Sequence, residues 1–348
     1  MEELTFSVFA DFHYKEGMYI SSVSDMDAIM KKAKDNNSDF VLSLGDMCND
    51  FLGSKEITNA FLNNFQNLSV YNIYGNHELE SANNSMQVVT PLLTNRTNSV
   101  VWGTADGKIG DGSIAYYYFD HNGYRVVNLD TNYAYDPKTK SWVHNETKSY
   151  GSKAGTVKGN SIGDAQYVWL EKVLYDAASK GLCCIITSHA GFSGVISSSP
   201  DAARVRQLFA DVNNVSKGTV SLAMSGHLHT NNQMLIDGIL YLDINTVRNG
   251  RWQADENVHY TDETFNFVKY DADGNATETI SDYKIGNLSQ ASRTWFFADP
   301  LSATVKISKS GKITLVGQTS SWIGGIVPTG VPSDVKPEIT SGEFQTGK

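Results

Sequence analysis

The chain has 348 residues, 41% of them hydrophobic and 19% charged, the balance of a folded globule that can bury a large core. Its formal charge of −10 argues against a polyanion-coating surface, so no polymeric nucleic-acid partner is expected. Three cysteines do not make a disulfide framework, and no apolar run approaches the ~18 residues needed to span a bilayer.

Met1-Glu-Glu-Leu-Thr5 enters the first strand with no basic or apolar leader. That start, with the richness in Asn, Ser, Thr and Tyr, is read as a secreted protein whose signal has been removed, or otherwise as a cytoplasmic one. Leu4–Ala10 reads as a buried strand ending on Asp11-Phe12-His13. Residues 21–36 place apolar side chains at helical spacing after a polar start suited to capping. Asp39–Leu44 is the next strand and ends on Gly45-Asp46; residues 55–66 read as a helix. Ser69–Tyr74 is a third strand, ending on Gly75-Asn76-His77-Glu78. Strand and helix alternate here, with polar residues at each strand's carboxyl end, as in a parallel α/β layout whose ligand crevice lies outside those ends.

Residues 80–113 read as a long irregular loop, and Ser113–Phe119 with Tyr124–Leu129 as a hairpin about Asp120-His-Asn-Gly123. His121 is then a solvent-facing turn residue, and His144, in a loop-rich stretch at 132–162, is expected to be exposed. Gly163–Lys180 is an amphipathic helix, and Leu182–Thr187 a strand that delivers His189. Residues 200–213 form another helix, and Val220–Met224 a strand that delivers His227 and His229, followed by the strand Ile239–Ile244. Residues 263–322 read as β-hairpins, completing a second sheet of the same domain or forming a small appendage. The Gly-, Pro-, Ser- and Thr-rich stretch 323–348 reads as a linker or disordered tail. Cys183 and Cys184 sit in an apolar run, and Cys48 follows Asp46 by two residues; all three read as packed thiols.

The strand ends thus collect Asp11, His13, Asp46, Asn76, His77, His189, His227 and His229. Imidazole and carboxylate donors without thiolates suit Zn, Mn, Fe, Co or Ni better than a structural zinc site. Residues i and i+2 of an extended segment point to one side, so Asp11 with His13, and His227 with His229, are expected to converge. With His77 set aside as a proton donor, the seven remaining donors suit two metals sharing a carboxylate, and Asp46, with two oxygens after the central strand, is the expected bridge. Two such ions clamp attacking and leaving oxygens and supply hydroxide near neutral pH, the chemistry of phosphate-ester hydrolysis.

The set Asp11-x-His13, Gly45-Asp46, Gly75-Asn76-His77-Glu78, His189, Gly226-His227-x-His229 resembles the calcineurin-like metallophosphoesterase family, over roughly two thirds of the chain. The resemblance implies an α/β fold, a four-layer α-β-β-α sandwich of two mixed sheets, here with a C-terminal β-rich extension. It implies a catalytic domain over residues 1–262. It places Asp11, His13, Asp46 and His229 on one metal and Asp46, Asn76, His189 and His227 on the second. A metal-bridging hydroxide would attack phosphorus, His77 would protonate the leaving oxygen, and Glu78 would orient His77. The family often carries a further Asp three residues after the bridging one, where this chain has Asn49. His13 stands where the purple branch has Gly, so the resemblance is to the non-purple branch.

A small phosphorylated substrate is the expected partner. Arg248 and Arg251, with Trp252, are candidates to grip it through guanidinium–phosphate contacts, beside Asn76. The plainer reading of that segment is a solvated loop with the Trp packed beneath. A non-catalytic metal-binding or scaffold module on the same fold, or a nuclease, are the alternative functions.

Overall fold

The computed structural model describes residues 2–14, 21–48, 51, 53–63, 68–79, 85–144, 159–194, 199–251, 264–270, 276–284, 294–322, 325 and 336–347. The chain opens with β1 (Leu4–Phe9), α1 (Val23–Asp35), β2 (Phe40–Ser43), α2 (Lys55–Asn63) and β3 (Ser69–Asn72). A short helix, α3 (Met86–Val89), and a 3-10 turn at Thr90–Leu92 lead to β4 (Val101–Trp102), then β5 (Tyr117–His121) and β6 (Tyr124–Asn128). β7 (Tyr133–Asp136) and β8 (Ser141–His144) precede α4 (Gly163–Ser179), β9 (Cys183–Ser188), α5 (Ala202–Val215) and β10 (Val220–Ser225). β11 (Asn232–Ile236), β12 (Ile239–Asp243) and β13 (Asn249–Arg251) follow. The remaining strands are β14 (Thr264–Tyr270), β15 (Ala276–Lys284), β16 (Thr294–Phe296), β17 (Ala303–Ile307), β18 (Lys312–Gly317) and β19 (Gly342–Gln345).

Two mixed sheets result. One runs β19-β18-β17-β1-β2-β3, the other β11-β12-β10-β9-β6-β5-β4. β1, β2 and β3 are parallel, as are β6, β9, β10 and β12, so each sheet gathers several carboxyl ends on one side. Alternation along each strand sorts its side chains between two cores. Leu4, Phe6 and Val8 of β1 and Phe40 and Leu42 of β2 meet Val126, Ile185, Leu222 and Leu240 between the sheets. Phe9, Val41 and Val70 point the other way, onto α1 and α2, while Val127, Cys184, Ile186 and Val220 pack beneath α4 and α5. The four layers of the expected sandwich are these two sheets and their outer helices.

α1 forms because Met26, Ile29, Met30 and Ala33 share one face and are all buried. Each large side chain so buried contributes about 1.5–3 kcal/mol. The Asp25 carboxylate accepts the Ser22 N–H at 2.8 Å and closes the first turn. At the β5–β6 turn Asn122 and Gly123 both take positive φ, 50° and 88°, which suits the right-handed strand twist.

Three segments differ from the sequence reading. The stretch 80–113 contains α3 and β4, and 132–162 contains the paired strands β7 and β8. The third is the tail: β19 pairs antiparallel with β18 at a sheet edge, and Ile339 is buried in the inter-sheet core. Ile339 and Phe344, five residues apart among Thr, Ser, Gly and Glu, leave too little periodicity for a sequence reading to find a strand there. β17 and β18, from the stretch read as an extension, pair into the same sheet beside β1.

Candidate metal centre

The donors follow β1, β2, β3, β9 and β10, whose ends meet where the two sheets converge. Backbone bonds lace these loops together: Asp11 N–H donates to Gly45 O at 3.1 Å, His13 N–H to Asp46 O at 2.9 Å, and Gly226 N–H to His189 O at 3.1 Å. Two groups of donor atoms cluster, each within 4.8 Å: Asp11, His13, Asp46 and His229, and Asp46, His189 and His227. Asn76 joins the second, its Oδ1 lying 3.1 Å from His189 Nε2. All seven expected ligands are therefore brought together.

The route to convergence is not the expected one. Five of the seven, Asp11, His13, Asp46, His227 and His229, have left-handed backbones with φ between 50° and 69°. Asp11 and His13 converge through that tight curl, not by alternation along an extended segment. Such a backbone costs an L-residue roughly 1–2 kcal/mol, a strain that concentrates at functional sites. Asp46 also divides its oxygens. Oδ1 accepts the His77 N–H at 2.9 Å, while Oδ2 lies 3.1 Å from His189 Nε2, 3.7 Å from His13 Nε2 and 3.8 Å from His77 Nε2. One oxygen, Oδ2, thus faces donors of both groups. Gly75 is obligatory for space: a Cβ there would stand 2.1 Å from Asp46 Oδ1.

The donor set fits a cation. His189 Nδ1 lies 2.7 Å from the Leu44 carbonyl, an acceptor, so Nδ1 carries a proton. Its Nε2 nevertheless faces two further acceptors, Asp46 Oδ2 and Asn76 Oδ1, each at 3.1 Å. His13 Nε2 and His229 Nε2 are likewise 2.9 Å apart. These contacts bring lone pair against lone pair unless a proton or a metal lies between. Burial would lower the His189 pKa, but Asp46 raises it to about 10, a demand for positive charge that a metal meets. Burial opposes ionisation of Asp11 and Asp46, yet the surrounding histidines hold both below the usual carboxylate range. Burial and His229 keep His13 well below its ordinary value, so it is neutral. Ionised carboxylates and neutral imidazole are the forms that bind metal.

Glu78 bonds to backbone on both sides of the cleft. Its Oε2 accepts the backbone N–H groups of Asp46 at 3.1 Å and Gly75 at 2.7 Å, and its Oε1 that of Met47 at 2.6 Å. It ties the bridging loop to the Gly75–His77 turn. Burial, then the Asp46 charge, push this carboxyl up to about 7. Arg248 is reassigned. Its Nε and Nη2 form a fork onto Asp25 at 3.0 and 2.6 Å, and its Nη1 donates to the carbonyls of Phe297 and Ala298. Those bonds pin β13 and the 297–298 segment to α1, so this guanidinium is committed to the scaffold and not to substrate. The Arg251 side chain and Trp252 lie outside the described residues.

His144 is half-buried, not exposed: its side chain is 8% accessible and its Nε2 is 2.7 Å from Asp130 Oδ2. Residues missed in the sequence also reach the site. Asn160, at φ 76°, brings its amide to 3.4 Å from His227 Nε2. Asp130-Thr131-Asn132 follows the apolar end of β6, the same strand-end pattern that flags the ligands, and that pattern was the available signal.

A family model described as calcineurin-like phosphoesterase matches residues 4–231. Among solved structures, a dimetal phosphatase from Danio rerio aligns with a TM-score of 0.56 at 15% identity, covering 92% of this chain and 98% of that one. GAP50, the anchor in the inner membrane complex of Plasmodium, aligns with a TM-score of 0.48 at 12% identity, over 100% of this chain and 90% of that one. At 15% identity the likeness to the phosphatase is one of fold. No curated protein matches. Because the family model spans the strand ends from β1 through β10, the chain belongs to the calcineurin-like phosphoesterase family.

Proposed function

We propose that the chain hydrolyses phosphate esters of small molecules at a dinuclear centre of Zn, Mn, Fe, Co or Ni, with His77 as general acid. One observation carries this reading: Asp46 Oδ2 faces both donor groups while His77 Nε2 stands 3.8 Å from the same oxygen. When bound, the metals supply Lewis acidity and a water acidified toward neutral pH. Asp11, His13, Asp46 and His229 would hold one ion, and Asp46, Asn76, His189 and His227 the other. The His13 ring meets the His77 ring edge-on at 4.9 Å, which limits how far the acid can swing.

As the ester P–O bond breaks, the water oxygen remains on phosphorus and the His77 proton passes to the leaving oxygen. The alcohol departs neutral. His77, with 11% of its side chain accessible, regains its proton from solvent. His77→Ala is expected to keep both metals and to lower kcat by ~10²–10⁴ on esters with poor leaving groups. The loss should nearly vanish for p-nitrophenolate, which needs little protonation. A uniform loss across leaving groups would assign His77 a structural or substrate-binding role. The same panel, run on phosphomonoesters and phosphodiesters, separates those substrate classes.

A further inference from the structure

We infer that Asp130-Thr131-Asn132 is the positioning element of the second metal's half of the site, a reading that rests on the dinuclear function proposed above. Two ligands of that half, Asn76 and His189, sit on separate loops from opposite sheets, and the tripeptide bonds to both loops. Asn132 Nδ2 donates to the Gly75 carbonyl at 3.0 Å, one residue before Asn76 and two before His77. The Ala190 N–H, one residue after His189, donates to Thr131 Oγ1 at 3.1 Å. These two bonds reach the Gly75 turn and the His189 loop, the two loops that carry ligands of the second metal's half.

The tripeptide is itself fixed from several directions. Gln166 of α4 accepts the Asp130 N–H at 2.9 Å and donates to the Asp130 carbonyl at 2.7 Å. Asp130 Oδ1 accepts from the Asn132 N–H at 3.0 Å and Nδ2 at 3.1 Å, while Oδ2 meets His144 Nε2 at 2.7 Å. Both Nδ2 protons of Asn132 are therefore used, one on Asp130 and one on Gly75. Asp130, Thr131, Asn132 and Gln166 are all buried, so each bond lost leaves an uncompensated polar group in the interior. Through His144 the β7–β8 hairpin joins the same support, and Leu129 N–H, bonded to Thr187 O at 2.9 Å, keeps the β6 and β9 ends in step. Ligand geometry is held by such outer partners, and their loss typically costs 10–100-fold in metal affinity.

The test is a calorimetric Zn²⁺ titration of the chelator-stripped full chain, its Asn132→Ala and Thr131→Val variants, and the conservative Thr131→Ser, with circular dichroism of each. The parent should bind two zinc ions. Asn132→Ala and Thr131→Val should bind the first within about twofold of the parent and the second at least tenfold more weakly, while Thr131→Ser follows the parent. Asn132→Ala should also steepen the dependence of kcat on leaving-group pKa, because His77 rides on the Gly75 turn. Parent-like affinity at both sites in both variants overturns the inference and leaves the dinuclear function standing. So does equal weakening at both sites, or loss of the folded spectrum in the near-isosteric Thr131→Val. A parent that binds fewer than two zinc ions overturns the dinuclear reading itself, and this inference with it.

Discussion

Glu78→Gln distinguishes a loop clamp from an acid-orienting residue. The carboxylate is fully buried and accepts three backbone N–H groups, two on Oε2 and one on Oε1. Glutamine has nearly the same shape but one acceptor end. Its best orientation keeps the oxygen between Asp46 and Gly75 and turns its own N–H₂ against the Met47 N–H. One bond is lost and a buried donor is stranded, about 1–3 kcal/mol, and above about pH 7, where the Glu78 carboxyl is ionised, the two remaining bonds also lose charge assistance. The sum is about 3 kcal/mol, or roughly a hundredfold. Because Glu78 holds the loop of the shared ligand Asp46, both metals should bind more weakly, and the metal-free protein should unfold at lower denaturant. Zinc titration and urea unfolding of the stripped protein read these effects. Leaving-group sensitivity of kcat in the metal-saturated variant should match the parent. Retained metals and stability, with a loss confined to poor leaving groups, would refute the clamp and return Glu78 to the service of His77.

Arg248→Ala should lower stability by about 2–3 kcal/mol, since it strips the buried Asp25 of a two-pronged partner, and should leave KM unchanged; a raised KM at parental stability would place the guanidinium on substrate. Gly75→Ala should abolish tight metal binding at both sites, because its Cβ would fall 2.1 Å from Asp46 Oδ1 and 2.4 Å from the Asp46 backbone nitrogen. Elemental analysis showing two metals in that variant would contradict the crowding.

The centre was legible because parallel strands deliver their carboxyl ends to one place, and runs such as Leu4–Ala10 and Val220–Met224 announce those ends without knowledge of the fold. What those runs do not announce is the backbone beyond them. Asp11 and His13 converge in left-handed conformations that only the assembled loops impose, and not by the alternation of an extended segment. Arg248 looked like a phosphate fork because nothing local distinguishes it from one; its partner Asp25 lies 223 residues away on α1. Glu78 stands next to His77, and nothing local announces that its carboxylate also bonds across to the β2 loop. His144 and Asp130 are of ordinary types for a loop-rich stretch, and their pairing depends on how the β7–β8 hairpin brings His144 against Tyr74 and Asp130.

The central claim is that two metals share Asp46. The direct measurement is metal stoichiometry by elemental analysis, made side by side on the parent and Asp46→Asn after identical dialysis, with phosphoester turnover on the same samples. Two ions per chain and turnover in the parent, with occupancy falling at both sites and turnover lost in Asp46→Asn, is the predicted result. A parent that never holds more than one ion, or an Asp46→Asn protein that holds two as tightly as the parent, would contradict it.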